Sequence, residues 1–248
     1  MDRLRDKLLC IGEGSIGCYN LHLTNRLSVY YNKTHSRFAE FSIRKEEVQI
    51  MFAQLPNTRN FHRLLETTEA LIQERGCQQT TLQEIMNRSS LSKGAIYHYV
   101  RSKDELFGII LQVRMEGVNK QFVRAKNEKD AGLEEPLGAI TKGMSYLTDP
   151  NDVSNLIFTY LLGRKEEAFI SQILSNMYEY SKQTVISWIE AGRQAGVIPS
   201  AINAEQTAVM LMTFSYGLRV RTMIGPEEHP VTEEEIYHFM HQALRHPC

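Results

Sequence analysis

The sequence predicts an all-α protein, on three observations. After Met51, apolar residues return at the 3.6-residue spacing of amphipathic helices. Thr81-x-x-Glu84 and Ser102-x-x-Glu105 have the form of capping boxes, in which each side chain satisfies a free backbone amide at a helix start. Glycine and proline clusters then divide the remainder into helix-length pieces, and nothing after Met51 reads as a strand.

The first helix is expected to start near Asn57 or Thr58, behind Pro56. Phe61, Leu64, Leu65, Thr68, Leu71 and Ile72 fall on one face of it, and Gly76 is expected to end it. The Thr81 box opens a short helix with Leu82, Ile85 and Met86. Ser89-Ser-Leu-Ser92 breaks the pattern before a second short helix over Lys93–Val100. The Ser102 box then opens a long helix through Leu106, Ile109, Ile110 and Val113. Further helices are expected over Leu133–Leu147, Asp152–Leu162, Glu166–Arg193, Ala204–Met223 and Thr232–Arg245. Their breakers are Pro136, Asp149-Pro150, Gly163, Gly192 with Gly196 and Pro199, and Gly225-Pro226.

Residues 1–50 stand apart. They show no sustained period and at most a short strand at Leu27–Tyr31. Gly12-x-Gly14-x-x-Gly17 has the spacing of a dinucleotide fingerprint, but no strand precedes it and no helix–strand unit follows, so that reading is rejected. Lys45-Glu46-Glu47-Val48 is encodable by a purine-rich run like a bacterial ribosome-binding site. The expectation is therefore that translation begins at Met51 and that residues 1–50 are not part of the natural protein.

The bulk composition, 42% hydrophobic and 23% charged over 248 residues, is that of a folded, soluble chain. Its net charge of -1 is unevenly shared. Residues 51–114 carry eight basic and six acidic side chains, whereas residues 115–248 carry twelve and seventeen. A basic head on an acidic body suits a chain that meets phosphates at one end only. Cys10, Cys18, Cys77 and Cys248 form no CxxC pair, and neither a transmembrane stretch nor a signal-peptide core is found, so a reduced cytoplasmic setting is expected. His238 and His241 have no third ligand at a convincing spacing, and no metal or cofactor is expected. There is no nucleophile elbow, phosphate-cradling loop or zinc-protease helix, so no catalytic residue is assigned and the chain is not expected to be an enzyme.

Two short helices between two longer ones, over Asn57–Val113, form a helix-turn-helix head. Such a unit presents the start of its second helix to base edges in the major groove of double-stranded DNA. Ser92, Lys93, Gly94 and Ala95 open that helix. Small side chains permit close approach, and Lys93 is able to donate to a base or a phosphate. Tyr97 and His98 are assigned to backbone phosphates, with Tyr99 and Val100 packing inward. Lys103, at the next helix start, is expected to anchor a phosphate, and Thr81 to do likewise from its own.

The runs Thr80-Thr-Leu-Gln-Glu-Ile85 and Leu91-Ser-Lys-Gly-Ala-Ile-Tyr-His-Tyr-Val-Arg-Ser-Lys-Asp-Glu-Leu-Phe107 resemble the TetR family of bacterial repressors. One departure is Val100, where the family usually has Phe. The resemblance implies DNA contacts from Thr81, Ser92, Lys93, Gly94, Ala95, Tyr97, His98 and Lys103. It also implies a homodimer on a palindromic operator and, over residues 115–248, a larger helical domain for effector binding and dimerisation. Residues 51–114 are then the DNA-binding domain. The implied function is a transcriptional regulator, a repressor released by a small-molecule effector; the alternative is a helix-turn-helix adaptor or co-activator without a ligand.

The closing helices from Trp188 onward are similar to those that form the family's four-helix dimer interface. Val209, Met212, Phe214, Tyr216, Leu218 and Val220 offer more apolar surface than one core face needs. Met144, Phe158, Met177, Tyr178, Trp188 and Met212 are the candidate pocket residues for an apolar or aromatic effector.

Overall fold

A computed structural model of the chain describes residues 55–128, 132–225 and 230–246. The expectations for residues 1–50 lie outside them. Nine α-helices follow one another with no strand among the described residues: α1 Arg59–Gln79, α2 Leu82–Ser89, α3 Lys93–Tyr97, α4 Lys103–Lys126, α5 Glu134–Gly143, α6 Val153–Leu162, α7 Ala168–Gln194, α8 Ala204–Ile224 and α9 Glu233–Arg245.

α1 buries the stripe Phe61, Leu64, Leu65, Thr68, Leu71 and Ile72 that its periodicity predicts. Thr58 caps it by accepting from the Phe61 amide at 3.2 Å. Gly76 ends the regular run of the helix, as expected. It takes φ 79°, a left-handed conformation open to glycine at little cost, and the chain bends there before one further turn to Gln79. Both the amide and the hydroxyl of Thr80 donate to the Gly76 carbonyl, at 3.3 and 2.9 Å, and close that turn.

The Thr81–Glu84 box forms in full, whereas the Ser102–Glu105 box forms by half. Ser102 Oγ accepts from the Glu105 amide at 3.1 Å, but the Glu105 carboxylate accepts from the Arg101 amide instead, at 2.6 Å. α3 is shorter than expected, because the chain leaves it after Tyr97. Pro136 breaks nothing. It sits in the first turn of α5, where a backbone amide would have no partner within the helix anyway.

The head packs around Leu64, Ile72, Ile85, Ile96, Leu106, Phe107 and Ile110, all withdrawn from solvent, and Val100 is buried in the same layer. The body core gathers Val118, Phe122, Leu137, Trp188, Ile189, Leu211, Leu218 and Met240 from α4, α5, α7, α8 and α9, with Leu147 from the 3-10 turn Ser145–Thr148. α4 belongs to both. Its first turns complete the head, and along its length it also packs on α5, α6 and α7, so the expected boundary at residue 114 falls inside one continuous helix. At Gly108 a Cβ would stand 2.8 Å from Ile173 Cγ2, and the missing side chain lets α4 and α7 approach closely.

Candidate nucleic-acid interface and a cavity in the body

The start of α3 lies on the surface because one residue holds the helix down from behind. Ile96 is fully buried under it, and Leu91 is buried in the turn before it. Ser92, Lys93 and Gly94 are therefore exposed, and Ala95 is half-buried. Ser92 caps the helix by accepting from the Ala95 amide at 3.2 Å, which fixes the direction of the first turn. Tyr97 is 47% exposed, with Lys93 Nζ 5.7 Å from its ring centroid, and His98 is exposed beside it. Tyr99 turns inward as expected. Its ring packs 5.3 Å from Phe61, and its hydroxyl pairs with Thr58 Oγ1 at 2.9 Å, tying the end of α3 to the start of α1. Thr81, exposed at the head of α2, is occupied in its capping box.

Lys103 departs from its expected role. Its ammonium donates to three carbonyls, those of Cys77 (3.0 Å), Gln78 (3.1 Å) and Thr80 (3.0 Å), and lies 5.2 Å from the Tyr160 ring centroid. An ammonium has three protons, so the side chain is committed to the carboxyl end of α1 rather than turned outward to a phosphate. Only its backbone amide remains in the first turn of α4, where helix starts attract anions. Cys77, beside this cluster, is buried, and desolvation pushes its thiol up to about 12.

In the body, a cavity of about 90 Å³ lies between α4, α7 and α8. Met144, Met177, Trp188 and Met212 of the expected pocket line it. Phe158 is buried behind the wall, stacked at 5.5 Å on Tyr216, and is not among the lining side chains. Tyr178 is turned to solvent, with Lys182 Nζ 5.9 Å from its ring, so it does not belong to the cavity; it follows Met177 by one residue, about 100° round α7 from the inward face. Trp188 is held by its indole N–H, which donates to Asn119 Oδ1 at 2.7 Å, and by Phe122 at 5.4 Å.

Sequence reasoning missed the polar side of the wall, which carries Gln112, Arg114, Ser154, Ser215 and Arg219. The signal was present in α8. Leu211, Ser215 and Arg219 recur at every fourth residue, which sets an arginine on the stripe that faces the core. Arg114 is compensated by Glu69 at 3.3 Å and Asp152 at 3.1 Å.

Residues 64–108 match the model for bacterial regulatory proteins of the tetR family. The HTH-type transcriptional regulator TtgR of Pseudomonas putida is 24% identical over 201 residues, covering 74% of this chain and 85% of its own. The uncharacterized HTH-type transcriptional regulator YfiR of Bacillus subtilis is 23% identical over 167 residues, covering 66% and 80%. Among solved structures, a TetR-family regulator from Syntrophomonas wolfei superposes with a TM-score of 0.57 at 18% identity, over 75% of this chain and 93% of its own, a likeness of fold. A helix-turn-helix head that matches the tetR-family model over residues 64–108, a recognition edge open to solvent and a shared all-helical fold make this chain similar to the DNA-binding transcriptional regulators of the TetR family.

Proposed function

We propose that the chain is a cytoplasmic, homodimeric repressor that leaves a palindromic operator when a small apolar or aromatic molecule enters the body cavity. Direct contact with DNA falls to Ser92, Lys93, Gly94, Ala95, Tyr97 and His98, with Thr81 gripping a phosphate at the start of α2. The observation that carries this reading is the wall shared through α4. Leu111, Gln112, Arg114 and Met115 line the cavity, while Lys103, two turns earlier on the same helix, holds the carboxyl end of α1 in the head. Anything that moves the cavity wall therefore acts on a rod that ends at the recognition unit.

Dimerisation is supported by an apolar face on α8 and α9. Val209, Met210, Val220 and Phe239 are exposed, and Ile224 is 79% exposed. On α8 they share one side with Thr213 and Gly217, while Met212 and Leu218 of the expected apolar set are buried and serve the core. Two copies joined through this face would present two recognition helices, and a palindromic operator requires them about 34 Å apart, one turn of DNA. The effector acts by population shift, binding best the arrangement in which that spacing is lost, with a coupling of about 1–3 kcal/mol.

Among the described residues no helix is long and apolar enough to cross a membrane. An adaptor without a ligand is the less favoured reading, because the body keeps a lined cavity against α4. No constellation on the cavity wall reads as catalytic, and the chain is taken to bind rather than transform its effector. Selection of bound fragments from a random DNA pool tests the proposal. A two-fold symmetric site is expected, and recovery of sequences without symmetry would overturn the dimeric-operator reading.

A further inference from the structure

Arg219 is the one charged side chain of the cavity wall whose charge meets no carboxylate among the described residues. It is 6% exposed, and its Nε is buried without a hydrogen-bond partner. Its guanidinium carbon lies 4.4 Å from the Phe158 ring centroid and 5.6 Å from that of Tyr146. Ring faces stabilise a desolvated cation in part, but they accept no N–H in the plane of the fork. A buried guanidinium held in this way lacks the bidentate acceptor that its geometry matches best, a carboxylate. Ser154 Oγ and Gln112 Oε1, on the same wall, are also buried without partners.

We infer that the effector is an amphipathic organic anion, a monocarboxylate of medium-length apolar body whose charged end pairs with Arg219. The inference rests on the cavity being the effector site and adds the chemistry of what enters it. A cation would be repelled there, and a neutral acceptor would take up an N–H but leave the charge of the arginine uncompensated. Arg114 already has two carboxylates, so a single unmatched guanidinium calls for a single negative group.

The apolar end has a defined direction. Leu211 lies eight residues before Arg219 on α8, about 12 Å along the helix axis. There, Val185, Trp188, Leu211 and Met240 separate the cavity from a second one of about 80 Å³, lined by Leu133, Leu137 and Ile198. A tail pointed away from Arg219 runs towards this partition, and the flexible side chain of Met240, shared by both walls, lets the two spaces join around it.

Trp188 is the single tryptophan of the chain and lines both cavities, so its emission reports occupancy of either. The full-length protein is titrated with decanoate against decan-1-ol, and with 3-phenylpropionate against 3-phenylpropan-1-ol. In at least one pair the acid is expected to bind about tenfold or more tighter than its alcohol. Arg219→Gln is expected to bring acid and alcohol together, and Arg219→Lys to keep part of the preference. Alcohols that bind as tightly as their acids overturn the inference but leave the cavity as an effector site, as does an acid preference that survives in Arg219→Gln. If neither member of either pair changes Trp188 emission or gives heat in calorimetry, both the inference and the effector reading of the cavity fail. The wild-type comparison decides even where Arg219→Gln does not fold.

Discussion

Arg164, just after α6, reaches across to Asp104 in the first turn of α4, with Nη1 2.8 Å from the carboxylate. The aspartate is nearly withdrawn from water, while the arginine also holds Glu167 and the Tyr160 hydroxyl. Head and body are thus locked by a partly buried charge pair at the point where α4 begins. Arg164→Ala is expected to cost about 1–3 kcal/mol, because it strands a buried carboxylate. In a double-mutant cycle with Asp104→Ala, measured by urea unfolding, the combined loss should be clearly less than the sum of the two single losses.

Lys103 gives a test that separates two roles. A lysine bonded to three carbonyls stabilises the head, and one bonded to phosphate would carry part of the salt dependence of DNA binding. Lys103→Ala is expected to lower the unfolding free energy by about 1–3 kcal/mol. The slope of log affinity against log salt should stay at its wild-type value. A slope reduced by about one unit would return the side chain to the phosphates.

Lys93 is expected to behave in the opposite way. It is exposed and bears no part of the core, so Lys93→Ala should leave the melting temperature unchanged. Operator affinity should fall by about 1–3 kcal/mol, with relaxed preference at one position of each half-site, as read by competition with single-base variants.

The thiol of Cys77 is raised from 9.0 to about 12, chiefly by desolvation, with Lys103 pulling the other way. The folded state keeps the proton longer than the unfolded chain does. The corresponding stability is therefore fully present below about pH 9 and is lost as pH rises towards 12. Cys77→Ala should flatten the fall of stability across that window. At pH 8, peptide-level mass spectrometry should find Cys77 unalkylated by iodoacetamide until denaturant is added.

The exposed face of α8 predicts the assembly state. Val220→Glu combined with Ile224→Glu places two charges where a second copy would pack, without touching the buried stripe. Sedimentation should show monomers that retain wild-type helicity, and operator affinity should fall by at least about a hundredfold, as loss of one half-site implies.

What the sequence made readable was local. The stripe from Phe61 to Ile72, the Thr81 box and the Ser92 cap depend on neighbours three or four residues away, and each stands where periodicity and capping chemistry require. What it hid was distant. The carbonyls that take up Lys103 lie 23 to 26 residues earlier and reach it only because Gly76 bends α1. Glu105 looked like the second half of a box, but the Arg101 amide was nearer. Tyr178 was named for its aromatic type, yet its position on α7 faces water. Arg219 stood on an apolar stripe in plain view, while its lack of a carboxylate partner depends on how five helices converge.

The unbroken run of α4 also bears on how hybrid regulators should be spliced. A graft that exchanges recognition units at residue 114 cuts through helical backbone, and each residue gained or lost there turns everything upstream by about 100°. A chimera keeps its alignment only if the donor supplies the same number of residues from the Ser102 cap to the splice, so residue count in that stretch, more than its chemistry, decides whether a foreign reading head still answers to this body.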